Sequence, residues 1–341
     1  MSKTWKKICI AAASVLAFVI LLMILFIPVT GEYDDTDCWN QFEEFDIGSL
    51  DTVEVKGEDF KILQLTDLHY WMPHKASQTD DIVKTLVEQN QPDMIVLTGD
   101  TVFGPANTVY VPHVIKLMES FEIPWAIVYG NHDSEFKADK FWQGEKYEAA
   151  EHCLYHNGPY NIGGTGNYVV NLTKDGEPFY SLVMMDSNMY IEYDGKTEYG
   201  CFELGQVSWY EYMITNLQAH GYDKSMMFFH IPLVEYGIAF DEWEEGGFDE
   251  SIGFGEKREE ECNSPCNTGM FGMIKKLGST THTFCGHDHI NNYSVEYQGV
   301  TLSYGLKSST QLYHDEDMVG GTLITIDSDR NVTVEHKYLE V

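Results

Sequence analysis

The chain has 341 residues, 43% of them hydrophobic, and its 54 acidic against 21 basic residues give a formal net charge of −33. This length and apolar content suffice for one large domain with a buried core. So negative a chain argues against nucleic acid as a partner, because binding to phosphate backbones needs lysine and arginine.

The first predicted element is an apolar helix at the N-terminus. Residues 8–27 carry no charge and follow Lys3, Lys6 and Lys7. A helix of this length spans about 30 Å, the thickness of a bilayer core. We therefore predict a basic cytoplasmic tip at residues 1–7 and a transmembrane anchor at residues 8–29, with the rest of the chain outside the cytoplasm, extracellular or lumenal. The alternative is a signal peptide, in which case residues 1–30 are cleaved and the protein is secreted.

Residues 30–58 are polar and acidic, which is typical of a stalk or linker. After them the pattern alternates between strands and helices. Strands are predicted over residues 60–66, 93–99 and 124–130, with helices over 78–90 and 106–120 between them. This alternation indicates β-α-β units and a largely parallel sheet.

The second half of the chain predicts a second sheet. NYVVNLT and FYSLVMMD, joined by a KDGEP turn, are typical of a hairpin. A helix over 205–220, a strand over 225–230, a helix near 268–277 and a strand over 281–286 follow, and residues after 292 are rich in strands. The acidic residues 241–261 show no period and predict a surface loop. We expect one mixed α/β domain over residues 59–341.

Side chains that can titrate or bind metal follow five of the predicted strands. Sites in α/β sheets assemble at the carboxyl ends of strands, so these side chains are expected to meet. Each has a structural explanation when taken singly, such as a helix N-cap for Asp100 or Asp133. The five endings are Asp67 with His69, Asp100, the run Asn131, His132 and Asp133, then His230, and last His287 with His289.

Most of these side chains suit a centre of two metal ions, which needs roughly four protein ligands per ion with one ligand shared. Asp100 can bridge two ions, and Asp67 and His69 point to the same side because they are two residues apart in a strand. Imidazole and oxygen donors without thiolate favour two divalent or trivalent ions such as manganese, iron or zinc. The candidate ligands are Asp67, His69, Asp100, Asn131, His230, His287 and His289.

The order of these motifs resembles the calcineurin-like metallophosphoesterases. The motifs are D-x-H (67–69), G-D (99–100), G-N-H-D (130–133), a single H (230) and G-H-x-H (286–289). HIPLVEY (230–236) and CNTGMFGMI (266–274) are similar to the small purple-acid-phosphatase-like branch of plants and fungi. Purple enzymes carry a tyrosine ligand three residues after the bridging aspartate, where this chain has Phe103, so the resemblance implies a non-purple site.

The resemblance also implies an architecture and a ligand set. The fold is expected to be a four-layer αββα sandwich with two mixed β-sheets and a dinuclear metal site at the strand carboxyl ends. His287 and His289 are expected to serve different ions, with Asp288 turned away between them. The implied ligands are Asp67, His69, Asp100 and His289 for one ion, and Asp100, Asn131, His230 and His287 for the other.

We therefore expect a hydrolase that cleaves phosphate monoesters by in-line attack of a hydroxide bridging the metals. His132 is predicted to face the substrate and protonate the leaving alkoxide, with Asp133 orienting its ring or, alternatively, capping a helix. A phosphodiesterase acting on cyclic nucleotides or lipid headgroups is the alternative, and an inactive binding domain is a third hypothesis. The acidic surface favours a small or singly phosphorylated substrate.

Overall fold

The computed structural model describes residues 3–32 and 36–340 of the chain. Helices and strands alternate over its first half, as the sequence predicts. The α-helices are α1 (Lys3–Phe26), α2 (Pro73–Asn90), α3 (Asn107–Glu119), α4 (Lys140–Glu148), α5 (Leu204–Ala219), α6 (Glu235–Glu245) and α7 (Met270–Leu277). The strands are β1 (Asp51–Glu54), β2 (Phe60–Leu65), β3 (Met94–Thr98), β4 (Trp125–Val128), β5 (Tyr168–Lys174), β6 (Glu177–Met184), β7 (Tyr190–Tyr193), β8 (Lys196–Tyr199), β9 (Ser225–Phe228), β10 (Gly253–Phe254), β11 (Thr280–Cys285), β12 (Ser294–Tyr297), β13 (Val300–Tyr304), β14 (Gly320–Ile326) and β15 (Val332–Tyr338).

One sheet has five strands in the order β15-β14-β2-β3-β4. Strands β2, β3 and β4 run parallel, while β14 is antiparallel to both β2 and β15. Every residue of β3 and β4 is buried, which is typical of strands covered on both faces of a sheet. Helix α2 packs against β2 and β14. Its buried side chains recur at helical spacing and are Thr79, Ile82, Val83, Leu86 and Val87.

The other large sheet has eight strands in the order β1-β5-β6-β9-β11-β13-β12-β10. The pairs β6-β9, β9-β11 and β11-β13 are parallel, whereas β5-β6 and β12-β13 are antiparallel. Alternate residues of β5 belong to different hydrophobic clusters, Tyr168 and Val170 to one and Val169 to the other. Both faces of this sheet are therefore buried.

The two hydrophobic clusters define the layers. One cluster joins α2, α3 and the five-stranded sheet to one face of the eight-stranded sheet. The other cluster joins the opposite face of the eight-stranded sheet to α5, α6 and α7. The order is thus helices, sheet, sheet and helices, and the predicted α/β class with two mixed sheets is confirmed.

Part of the predicted linker belongs to the domain. Strand β1 lies inside the range 30–58 and pairs in parallel with β5, so the linker ends before Asp51 and not at residue 58. The rings of Trp39 and Phe45 lie 5.7 and 6.0 Å from that of Tyr212 on α5. These aromatic side chains pack against the second cluster, which draws the segment onto the domain.

The predicted surface loop over residues 241–261 also needs correction. Residues 241–245 complete α6, and β10 pairs antiparallel with β12. Within this acidic segment, Trp243 is buried on α6 beside Phe240, so its overall composition hides a contact with the core. Helix α2 likewise begins at Pro73, before the predicted residue 78, because proline is well suited to the first turn of a helix.

Helix α1 covers most of the segment predicted as an anchor, residues 8–29, and begins within the predicted basic tip. Within residues 3–32 and 36–340, no helix combines the length and the apolar character that a membrane crossing requires. The predicted anchor, and with it the membrane as a partner, is therefore not supported. The location of the domain outside the cytoplasm stays a prediction.

Candidate metal centre

The predicted site residues follow strands of both large sheets. Asp67 and His69 follow β2, Asp100 follows β3, and the run from Asn131 to Asp133 follows β4, three adjacent parallel strands of one sheet. His230 follows β9, and His287 and His289 follow β11, two adjacent parallel strands of the other sheet. Parallel neighbours end at the same edge of a sheet, which explains why residues distant in sequence meet here.

The backbone at four of these positions is left-handed. Positive φ angles are found at Asp67 (56°), His69 (47°), Asp100 (49°) and His287 (78°). Such angles cost of order 1 kcal/mol or more for residues other than glycine, and they cluster at functional sites. Backbone hydrogen bonds hold the turns together: the amide of Asp67 donates to the carbonyl of Gly99 at 3.1 Å, and that of His69 to Asp100 at 2.8 Å.

One group of possible ligands consists of Asp67, His69 and His289, whose donor atoms lie within 4.8 Å of one another. His289 Nε2 is 3.3 Å from Asp67 Oδ1. The other ring nitrogen of His289, Nδ1, is 3.0 Å from the carbonyl oxygen of Tyr313. A proton on Nδ1 makes this hydrogen bond and leaves Nε2 free to bind a metal.

The second group consists of Asp100, His230 and His287, again within 4.8 Å of one another. Asp100 Oδ2 lies 3.2 Å from His230 Nε2 and 3.3 Å from His69 Nε2, so this carboxylate stands between the two groups. The ring of His230 is held by a 2.8 Å hydrogen bond between Nδ1 and the carbonyl of Thr98. The structure therefore brings together all the predicted histidine and aspartate ligands.

The protonation of the second group bears on metal binding. Burial disfavours the protonated form of His230. The negative charge of the nearby Asp100 carboxylate has the larger effect and raises the pKa of His230 to about 10. Burial lowers the pKa of His287 to about 3, so this ring is neutral near pH 7. A metal ion needs neutral imidazole, so an ion bound at His230 would displace a proton.

Buried polar atoms without a partner test whether metals fit this site. Unpaired buried donors and acceptors are costly and rare in folded proteins. Five of the candidate ligands each present one buried atom without a hydrogen bond. Three of these atoms lie 3.2–3.3 Å from another candidate ligand, and metal ions would satisfy all five. The atoms are Asp67 Oδ1, His69 Nε2, Asn131 Oδ1, His230 Nε2 and His287 Nε2.

The donor set is imidazole nitrogen with carboxylate and amide oxygen, which suits manganese, iron or zinc. Cys262 lies near His287 and Asp288, within 4.8 Å. Burial raises the pKa of the Cys262 thiol to about 12, so the free thiol is protonated near pH 7. Asp288 is buried and accepts a 2.6 Å hydrogen bond from the Tyr304 hydroxyl, as expected for a residue turned away between the two histidines.

His132 is oriented by Glu135 and not by Asp133. His132 Nδ1 is 2.6 Å from Glu135 Oε2. Burial lowers the pKa of His132, but Glu135 and Asp100 outweigh this effect and the pKa is raised overall. Glu135 in turn accepts a 2.7 Å hydrogen bond from the hydroxyl of Tyr190.

The predicted role of Asp133 is wrong because its carboxylate faces the backbone. Its two oxygens accept from the amides of Gly130, Asp100, Thr101 and Val102 at 2.7 to 3.0 Å. The helix-cap alternative is also wrong, since α4 begins later and is capped by Asp139. Burial and the nearby Asp100 raise the pKa of Asp133 to about 7, yet four N–H donors require the ionised form. Asp133 thus fixes the turn that carries Asp100.

Sequence reasoning missed three side chains of the site: Glu135, Tyr190 and Lys307. The amide nitrogen of Asn131 donates to the hydroxyl of Tyr190 at 3.2 Å, which leaves Asn131 Oδ1 free. The buried Lys307 Nζ lies 3.0 Å from His69 Nδ1 and donates to the carbonyl of Asp67 at 2.9 Å. Burial lowers the pKa of Lys307 to about 8. Lys307 follows β13, a parallel neighbour of β11, so the rule of strand endings applies to it too.

The fold and the donor groups define an α/β protein with a candidate two-metal centre, and a family model agrees. The model described as calcineurin-like phosphoesterase matches residues 60–291, which is more than half of the chain. The chain therefore belongs to the calcineurin-like phosphoesterase family, as the order of its motifs predicted.

Similar proteins support the predicted resemblance to the purple-acid-phosphatase-like branch. The Arabidopsis thaliana protein named probable inactive purple acid phosphatase 14 is 26% identical over 304 residues, 76% of this chain and 72% of its own length. Phosphatase DCR2 of Saccharomyces cerevisiae is 29% identical over 280 residues, 73% of this chain and 47% of its own. A solved dimetal phosphatase from Danio rerio has a TM-score of 0.55 at 11% identity, covering 83% of this chain and 96% of that one. This structural likeness shows a shared fold alone.

Proposed function

We propose that the protein is a metal-dependent phosphatase that hydrolyses phosphate monoesters. The observation that carries the proposal is a set of five buried ligand atoms without a hydrogen bond, four of them on the two adjoining groups of side chains and the fifth on Asn131. Such an arrangement is costly for a protein that binds nothing there and favourable for one that holds two metal ions. The choice of monoester follows the word phosphatase in the names of the plant and yeast relatives.

We infer that each of the two donor groups would hold one metal ion. Asp100 lies between the groups and is proposed to bridge them. Bound metal ions would supply Lewis acidity toward the phosphoryl oxygens and a more acidic water. The proposed ligands are Asp67, His69, Asp100 and His289 for one ion, and Asp100, Asn131, His230 and His287 for the other.

The chain's own residues are proposed to handle the leaving group. His132 is partly exposed, and its Nδ1 faces the Glu135 carboxylate at 2.6 Å. With Nδ1 held, Nε2 is the atom that can give a proton to the leaving oxygen. Glu135 favours the protonated ring, which is the form that can act as the acid.

The relatives named probable inactive make activity the first point to test. In this chain each candidate ligand is present and all lie together at one edge of the sheets, so we infer an active enzyme. The experiment is metal analysis of the purified full chain, with hydrolysis of p-nitrophenyl phosphate and of its bis-ester after loading with manganese, iron or zinc.

We expect two metal ions per chain, preference for the monoester, and loss of both metal and activity in Asp100→Asn. No hydrolysis with any of these metals would contradict the proposal and agree with an inactive protein. Faster hydrolysis of the bis-ester would instead assign a phosphodiesterase.

A further inference from the structure

Three aromatic side chains, Trp71, Phe103 and Phe136, form a surface beside His132 that we call the aromatic wall. The ring of Phe103 lies edge to face with that of His132, with centroids 4.8 Å apart. Phe103 also contacts Trp71 at 5.6 Å and Phe136 at 6.0 Å. The wall therefore borders the site on the side of the proposed proton donor.

The hydrophobic core does not explain the wall. Neither buried cluster includes Trp71, Phe103 or Phe136, and Phe136 is 42% exposed. Metal binding does not explain it either, because a phenylalanine ring offers no ligand atom. Exposed apolar side chains that cluster at a polar site are typical of binding surfaces.

The backbone fixes one end of the wall. Gly104 has a φ of +80°, and a Cβ at this position would overlap the six-membered ring of Trp71. Only glycine allows the indole to lie this close to the main chain. The loop that follows Asp100 therefore determines where Trp71 can lie.

The negative charge of Glu135 near the aromatic wall further restricts which leaving groups can bind there. The carboxylate of Glu135 lies against His132 and the hydroxyl of Tyr190. A second phosphate or a carboxylate on the leaving group would approach this negative charge. The leaving group that fits is apolar, planar and without negative charge.

We propose, on the basis of the proposed function, that the substrates are phosphate monoesters whose leaving group carries an uncharged aromatic ring. The ring packs on the aromatic wall while His132 faces the ester oxygen. Water adds its oxygen to phosphorus, and the bond from phosphorus to the ester oxygen breaks with its electron pair on that oxygen. The ester oxygen takes a proton from His132, which gives an alcohol that carries the aromatic ring. Of the two protons of the water, one stays on the inorganic phosphate and the other passes to solvent, from which His132 is protonated again.

The test compares 2-phenylethyl phosphate with 2-cyclohexylethyl phosphate on the metal-loaded full chain. The two alcohols have similar acidity, so leaving-group reactivity differs little, and the cyclohexyl ring is the more hydrophobic of the two, so hydrophobicity alone would not favour the phenyl ester. Stacking of aromatic rings adds a preference of about three- to tenfold in kcat/KM for the phenyl ester. Phe136→Leu and Trp71→Leu should reduce this ratio toward one.

The matched control is Phe254→Leu, which removes a ring of similar exposure, 39%, that lies on β10 against His336. This variant should keep the full preference. Equal kcat/KM values for the two esters, or a preference that survives both wall variants, would overturn the proposal.

A binding measurement separates this inference from the proposed function. The corresponding phosphonates, 2-phenylethyl and 2-cyclohexylethyl phosphonate, are not hydrolysed, and their affinities can be measured by calorimetry. Tighter binding of the phenyl compound without any ester hydrolysis would support the wall and reject the phosphatase. Hydrolysis of both esters with equal binding of the phosphonates would support the phosphatase and reject the wall.

Discussion

Replacing Asp133 by asparagine should destabilise the turn that carries Asp100 and leave the orientation of His132 intact. The side chain of Asp133 is fully buried, and its two oxygens accept four backbone N–H groups. An asparagine keeps one of these oxygens and turns an NH2 group toward the other two donors. The donors belong to Gly130 and Asp100 at one oxygen, at 2.7 and 2.9 Å, and to Thr101 and Val102 at the other, at 2.9 and 3.0 Å.

The size of the effect follows from the two hydrogen bonds that are lost. A hydrogen bond to a charged group contributes about 1.5–3 kcal/mol, so the substitution should lower the free energy of unfolding by about 3–6 kcal/mol. Asparagine has nearly the same volume as aspartate, and no cavity adds to this value. A loss of this size is a large part of a typical stability of about 5–15 kcal/mol.

The assay is urea unfolding of the Asp133→Asn protein, with Glu135→Gln as the matched carboxylate-to-amide control. The Glu135 side chain is 21% exposed and bonds no backbone amide of the turn, so its variant should keep most of the stability. Its hydrolysis rate should fall about tenfold to 100-fold, because the carboxylate that orients His132 is gone. An Asp133→Asn protein of normal stability without activity, beside a fully active Glu135→Gln protein, would refute this reasoning.

Three further predictions concern metals, backbone and pH. Chelation should lower the melting temperature and re-addition of manganese or zinc should restore it, since a ligand at about 100 times its Kd adds about 2.7 kcal/mol; calorimetry showing no shift would contradict this. Gly130→Ala should reduce metal content in elemental analysis, because a Cβ there would overlap Asp100 Oδ1 and N, whereas Gly272→Ala, whose Cβ meets no neighbour, should not. Burial lowers the pKa of His336 from 6.5 to about 4, so the folded state loses stability as pH falls through this window, by at most about 3 kcal/mol. His336→Gln should flatten the curve of unfolding free energy against pH between these values.

The sequence predicted which side chains lie together at this site because two strong regularities act on them. Buried parallel strands appear as apolar runs, and the residue after each run lies at a known edge of the sheet. This reasoning placed Asp67, Asp100 and His230 together although 163 residues separate the first from the last. Lys307, which follows β13, obeys the same rule, but a protonated lysine is not a metal ligand and so gave no signal.

Side-chain direction inside the loops could not be predicted in this way. Asp133 adjoins His132 in sequence, yet its carboxylate turns back to the amides of its own and the neighbouring loop. Glu135, two residues further, reaches His132 instead. No periodicity governs such turns, since their geometry depends on which backbone amides are left unpaired. The contact made by Tyr190 was still harder to predict, because this side chain reaches the site from the two-stranded hairpin of β7 and β8.

The pair His287 and His289 shows how backbone strain and metal binding are connected. The ring of His287 lies 5.1 Å from that of His230, and the ring of His289 lies 4.8 Å from that of His69. A left-handed φ of 78° at His287 is part of the turn that sends the two rings to different donor groups. Without a ligand this turn costs free energy and leaves His287 Nε2 buried without a partner. A metal ion bound at His287, as proposed, would offset both costs at this one residue.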